Sequence, residues 1–397
     1  MKTLSKFSEK IIIFLLLLVS FAPILDMITG IRFIGFSFFI TVLPSLILFF
    51  LYLINIDRIK NKHHILLGIN LLFFILIILT RYTVYGEFSP KDLGGKAYMF
   101  FIPICIILLT KLKINNANRQ FIIYLLSANL IFSFIIALLY ILGLPTIQIV
   151  DTSSPDYVEF GRFTGIMGGA NVHANFVYLI FMILVLYLNR IKAYMLILLF
   201  AISLLAVAPS LSRNATFGII SVFIYSIYYF TKTNRNSIRI KALLTFLLVL
   251  TTIIFWIDLN FLSIIFDSFT ERLLTQDIFT GRIEKLNFAL SVLFSDNYHL
   301  LLGIPSSLQE SQFISISDNS ITLVLAGFGL PFTLFFSFFI TNLIKDEIQI
   351  KRKVALYSIL ISIVFFTNNA ILWLPWVIFT IVGFVLLNNA NKIEYSR

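Results

Sequence analysis

Apolar residues run along this chain in blocks. Windows rich in Ile, Leu, Phe and Val lie at 11–28, 33–54, 65–80, 97–110, 121–143 and 172–188, then at 194–209, 215–230, 242–257, 319–344, 354–367 and 371–388. Short clusters of Lys, Arg, Asn and Asp separate them. A helix needs about 20 apolar residues to cross the hydrocarbon of a bilayer, with a usual range of about 17 to 25. Most of the windows meet that length; 97–110 and 354–367 are short and reach the interface only with flanking residues, Lys96 and Lys353 snorkelling outward. The pattern predicts an all-α, polytopic integral membrane protein of about 12 transmembrane helices. Lys2, Lys6 and Lys10 precede the apolar run Ile11–Val19 as in a signal peptide. No small-residue A-x-A site follows and apolar sequence continues past Phe21, so the reading is an uncleaved first span.

Composition agrees with the pattern. Of 397 residues, 59% are apolar, 16% aromatic and 12% charged, against about a quarter charged in soluble domains. The formal charge of +11 has a membrane explanation that makes a nucleic-acid partner unnecessary. With the N-terminus inside, inner segments hold 21 of the 30 basic residues and 5 of the 19 acidic ones, a net +16 inside and −5 outside. Every inner loop is basic, which orients the chain with both termini cytoplasmic and makes the number of spans even. The single cysteine, Cys105, allows neither an intramolecular disulfide nor a thiolate metal cage.

Residues 1–397 read as one integral membrane domain with two sizeable outer loops. The first, 144–170, carries Asp151, Pro155, Asp156, Glu159 and Arg162. The second, 258–318, joins spans nine and ten; Ile283, Leu286, Leu290, Leu293 and Phe294 repeat in it at helical spacing and predict an amphipathic helix on the membrane or across the bundle. Loops of this length are functional or disordered, and the apolar content argues against disorder. Ionisable residues are nearly absent deep within the predicted spans, which lowers the ion-coupled transporter reading. No internal repeat, phosphate-binding glycine loop, dinucleotide fingerprint or zinc-ligand spacing occurs, so neither metal nor cofactor is expected.

Candidate chemistry lies in outer segments that combine arginine with Gly, Ser or Asn beside a predicted helix start. They are Gly161-Arg162-Phe163-Thr164-Gly165 leading to Asn171-Val172-His173-Ala174, then Ser210-Leu211-Ser212-Arg213-Asn214, Thr280-Gly281-Arg282, and Ser317-Asp318-Asn319-Ser320 ahead of Gly327-Phe328-Gly329-Leu330-Pro331. Even-numbered spans begin on the outer face, so the positive ends of their dipoles meet Asn171, Arg213 and Asp318 there. Free backbone N–H groups joined by guanidinium forks make a seat for a diphosphate. A plainer reading stands beside this one: Asn171, Ser212 and Asp318 as helix caps, the arginines as interfacial anchors, and His173 as a hydrogen-bonded interfacial residue.

The order of these segments resembles the O-antigen polymerase and ligase superfamily of bacterial envelope glycosyltransferases, the Wzy-type polymerases in particular. The matching pieces are Arg162-Phe163-Thr164-Gly165 with Asn171-Val172-His173-Ala174, Ser212-Arg213, Gly281-Arg282 opening the amphipathic helix, the Leu302-Gly303-Ile304 turn, and Asp318-Asn319 before the glycine-broken helix Gly327–Pro331. The resemblance covers residues 160–335. It implies a polymerase of the bacterial cytoplasmic membrane that joins oligosaccharide units, donor and acceptor both carried on undecaprenyl diphosphate, on the outer leaflet. The product would be O-antigen (of lipopolysaccharide), capsule or exopolysaccharide, and a chain-length regulator is an implied protein partner. Ligases of the superfamily usually carry histidine where this chain has Asp318, which favours the polymerase.

On this reading Arg162, Arg213 and Arg282 clasp the donor diphosphate and Asp318 serves the acceptor hydroxyl as base. Asn171, His173, Ser212 and Asn319 line the substrate site. The competing expectations are a ligase that moves finished glycan to a lipid core, a flippase for the lipid-linked oligosaccharide, and a non-catalytic envelope scaffold.

Overall fold

The computed structural model describes residues 4–33, 36–86, 90–112, 115–146, 163–165, 170–187, 193–210, 212–233, 280–305, 320–348, 352–367 and 374–394. In chain order the helices are α1 (Lys6–Thr29), α2 (Leu43–Ile54), α3 (Asn61–Tyr85), α4 (Pro90–Thr110), α5 (Asn116–Ile141), α6 (Ala170–Tyr187) and α7 (Ala193–Val207). They continue with α8 (Arg213–Thr233), α9 (Thr280–Ser295), α10 (Asn297–Leu302), α11 (Ser320–Glu347), α12 (Arg352–Thr367) and α13 (Leu374–Glu394). The apolar window 242–257 lies outside the described residues. Among the described residues five segments are long and apolar enough to cross a membrane: Lys6–Asp26, Asn61–Tyr85, Asn116–Ile141, Ala170–Tyr187 and Val324–Glu347.

One predicted span starts differently from its window. Residues Arg32–Phe33 and Phe36–Ser37 pair as a short hairpin, Arg32 opposite Ser37, and the chain becomes helical only at Phe38, through a wide turn to Val42. The reason is local: α1 ends on Gly30, whose N–H reaches Asp26 O, and the chain reverses there before it can re-enter a helix.

The chain forms two compact units, one made of Met1–Arg119 with Phe279–Arg397 and the other of Gln120–Ile278. In the first unit α4 is the central helix, packed against α2, α3, α11 and α13. Its segment Ile104–Leu109 is buried all round, as an apolar helix without a polar face requires.

Helix α3 is turned inside out relative to a helix in water. Its buried face carries His63, Leu67, Asn70, Phe74, Ile77 and Arg81, while Ile65, Leu72, Leu76 and Leu79 are exposed. Polar residues facing protein and bare aliphatic residues facing outward are the arrangement that hydrocarbon surroundings favour. Together with the five long apolar helices, this makes the chain a membrane-embedded helical protein.

Helices α3 and α11 run antiparallel. Lys60 and Lys62, at the start of α3, meet Glu347 (2.8 Å) and Asp346 (2.5 Å) at the end of α11. Phe73 stacks on Phe335 midway, with ring centroids 5.3 Å apart. Buried Lys111, just past α4, shares the field of Glu347, and burial holds its ammonium below the ordinary lysine pKa.

In the second unit α6 is central, packed between α7 and α8 and buried along almost its whole length. Phe200 of α7 stacks on Phe223 of α8 with centroids 4.0 Å apart.

Candidate active site

The polar segments come together in two places, one within each unit. In the second unit the short stretch Phe163–Gly165 docks against the end of α7. Phe163 N–H donates to Pro209 O at 3.1 Å, and the Phe163 ring lies edge-on to His173 (5.2 Å) and beside Tyr140 (5.0 Å). His173 on α6 is wholly buried, and its Nε2 lies 3.3 Å from Ala206 O. A carbonyl only accepts, so Nε2 carries the proton in this bond and Nδ1 presents its lone pair. Nδ1 faces Gly165: a methyl at that position would sit 2.3 Å from it.

His173 thus ties α6, the 163–165 stretch and the end of α7 together. Its ring is enclosed by protein on the sides described, edge-on to Phe163. Ser212 is also buried, immediately before α8, and its carbonyl accepts from both the N–H (3.1 Å) and the hydroxyl (3.0 Å) of Thr216. Asn171 is half-buried in the first turn of α6, where its carbonyl accepts from Asn175 Nδ2 at 2.8 Å.

The backbone of Arg213 opens α8 and that of Arg282 lies in the first turn of α9. Arg162, Asp318 and Asn319 lie outside the described residues, as do most of the segments 144–170 and 258–318. Phe163, the residue after Arg162, and Pro209–Ser210, shortly before Arg213, are the two sides of one backbone contact.

In the first unit α9, α10 and the start of α11 pack as one body. Leu293 of α9, Ile304 of the turn after α10, and Ala326 of α11 form a small core. The side of α9 next to Leu293 is open, with Phe294 exposed. Two helical pieces joined at Gly329 (φ 79°, ψ 175°) make up α11, with Pro331 two positions further on. Gly329 is where the turn comes closest: a methyl there would stand 2.4 Å from Leu301 O. The Leu302-Gly303-Ile304 turn and the Gly327–Pro331 break, read separately in the sequence, are therefore one junction, closed by Ile304 N–H donating to Ala326 O at 2.7 Å.

Sequence reasoning passed over Arg81. It stands one position beyond the apolar window 65–80, yet the structure buries it to 5% exposure at this junction. Its Nη1 donates to Leu302 O (2.8 Å) and Gly327 O (3.1 Å), and its Nη2 to Ile304 O (3.0 Å). The one available signal was an arginine so close to a span end in a chain where outer basic residues are scarce. His299 donates from Nδ1 to Val292 O at 3.0 Å and so joins α10 to α9.

Among the described residues no group of three or more His, Cys, Asp or Glu is placed to hold a metal ion. No family model, curated protein or solved structure matches the chain.

Proposed function

We propose that the chain is a glycan polymerase of the bacterial cytoplasmic membrane, a twelve-span Wzy-type glycosyltransferase that joins undecaprenyl-diphosphate-linked oligosaccharides on the outer leaflet. The observation that carries this reading is the pairing in space of the polar segments that carry the family resemblance. The stretch after Arg162 is hydrogen-bonded to the stretch before Arg213. Within the other unit, the helix that carries Arg282 packs on the turn and broken helix that follow it in sequence. Segments of a mere set of interfacial anchors have no reason to dock on one another in this order.

The chemistry asked of these residues is modest. The acceptor hydroxyl attacks the anomeric carbon of the donor and its proton passes to the Asp318 carboxylate. The bond from that carbon to the phosphate oxygen breaks, and the diphosphate leaves with the electron pair. Arg162, Arg213 and Arg282 stabilise the charge that grows on the leaving diphosphate; their bidentate geometry suits phosphate oxygens. Loss of one such cation costs on the order of a hundredfold in rate.

The test is gel analysis of surface glycan from a deletion strain complemented with single variants. Arg213→Ala and Arg282→Ala are each expected to abolish long polysaccharide while the protein stays in the membrane at normal abundance. Near-normal chain length in both variants overturns the assignment. Finished polymer retained on its carrier identifies a ligase, and repeat units trapped on the inner side identify a flippase.

A further inference from the structure

A buried guanidinium on a membrane helix needs every donor occupied, and the surroundings of Arg81 show where its partners come from. Within a regular helix Gly327 O would accept from the N–H of residue 331, but residue 331 is proline and has none. Ala326 O loses its usual partner in the same way, because the helix breaks at Gly329. Two carbonyls thereby lose their helical partners and need others. Ile304 N–H takes Ala326 O, and Arg81 Nη1 takes Gly327 O.

The turn after α10 has the matching deficit. Its successive carbonyls Leu302, Gly303 and Ile304 accept from Arg81 Nη1, Tyr85 Oη (3.1 Å) and Arg81 Nη2. Arg81 and Tyr85 are one helical turn apart on α3, and the guanidinium carbon lies 5.5 Å from the Tyr85 ring centroid. Two side chains of one helix thus satisfy four carbonyls on two other segments. A lysine ammonium, a single point with three donors, cannot span them as the planar fork does.

We propose that Arg81, seconded by Tyr85, is a positioning residue: it locks the outer turn 302–304 onto the break in α11 and so fixes the half-helix starting at Ser320, directly behind Asp318 and Asn319. That consequence rests on the polymerase reading; the lock itself does not. With Arg81 removed, the cage of Leu302, Ile304 and Gly327 carbonyls is left to a soluble cation of the same shape, which makes guanidinium the natural rescuing agent.

The experiment uses the full chain in membranes, with Cys105→Ala removing its single cysteine. Cysteines at Ile304 and Ala326, whose backbones are hydrogen-bonded, are oxidised with copper phenanthroline and the cross-linked fraction is measured. In parallel, Arg81 variants without added cysteines are scored for glycan length. Arg81→Ala is expected to lower the cross-linked fraction severalfold and to shorten the glycan at near-normal protein abundance. Arg81→Lys is expected to recover little of either. Millimolar guanidinium is expected to restore both in Arg81→Ala, and an equal amount of sodium neither.

An unchanged cross-linked fraction in Arg81→Ala overturns the lock. A lowered fraction with normal glycan length, in a strain where Arg282→Ala abolishes polymer, overturns the positioning role and leaves the polymerase reading standing. Normal polymer in both Arg213→Ala and Arg282→Ala overturns the polymerase reading, and cross-linking then decides the lock by itself. If Arg81→Ala does not accumulate, Tyr85→Phe, which deletes the bond to Gly303 O and keeps the ring, decides by the same two measurements.

Discussion

At Gly30 and at Gly165 the backbone takes nearly the same left-handed conformation, φ +60° and +57°, but the two positions differ in what surrounds them. A methyl on Gly30 meets nothing within 4 Å, whereas on Gly165 it falls 2.3 Å from His173 Nδ1. Gly30→Ala therefore carries only the left-handed strain, about 1 kcal/mol. Gly165→Ala adds an overlap with a ring that is fully buried and cannot swing away, for a further 1–3 kcal/mol by order of magnitude. The expected outcome is a small fall in the melting temperature of detergent-solubilised Gly30→Ala and a several-degree fall for Gly165→Ala. Equal melting temperatures would mean that His173 does not press on Gly165.

The same residue explains part of what the sequence concealed. Helix α6 is apolar on every side apart from its first turns, so periodicity alone assigns no buried face to His173. Its partners, Ala206 O and the ring of Phe163, belong to segments with no hydrophobic signature linking them. The part His173 plays in holding these segments together is therefore visible in the structure alone. Arg81 was hidden for a related reason. Of the carbonyls it satisfies, Gly327 O is orphaned by Pro331, and Leu302 O and Ile304 O belong to a turn equally remote in sequence, so nothing local to Arg81 announces them.

Elements were far more legible than contacts. Solvation by lipid acts on whole helices, so block hydropathy located α1, α3, α5 and α11 close to where they form. Ion pairs between helix ends needed the structure. At the inner end of the α3–α11 pair the Glu347 side chain is fully enclosed, while Lys60, its 2.8 Å partner, is 37% exposed. His63 Nε2 lies 3.6 Å from Asp346 and 3.8 Å from Glu347, at the same end. Removing the lysine leaves a buried carboxylate short of one cation, so Lys60→Met is expected to destabilise. Partial exposure of the lysine holds the loss to about 1–2 kcal/mol, below the usual cost for a fully buried pair. Adding Glu347→Gln removes the charge that needed compensation and is expected to recover part of the loss. A double-mutant cycle on thermal unfolding reads this directly, and strictly additive effects would show that the pair is not coupled.

At the scale of the whole molecule, the helix ends that meet within the first unit constrain which loops share a face of the membrane. Lys60 and Glu347 touch, so the loop before α3 and the loop after α11 lie on one side. Arg81 touches the turn 302–304, so the end of α3 and the end of α10 lie together at the other end of the pair. On the orientation that the excess of Lys and Arg predicts, the first side faces the cytoplasm. The chain leaves α3 on the outer side and must return to it by α9. If each of the five helices α4 to α8 crosses once, it stands on the inner side at Thr233, and an odd number of crossings must lie between there and Thr280. The apolar window 242–257 is the one candidate for that crossing in the sequence. Fusions of green fluorescent protein and alkaline phosphatase after residues 60, 235 and 348 are expected to fluoresce and to lack phosphatase activity. Fusions after residues 86, 275 and 304 are expected to do the reverse. Residues 235 and 275 reporting the same side would remove the ninth span. One of α4 to α8 would then have to turn back within the membrane, and a turn in any of α4 to α7 would move Arg213 to the inner face, against the proposed role on the outer leaflet.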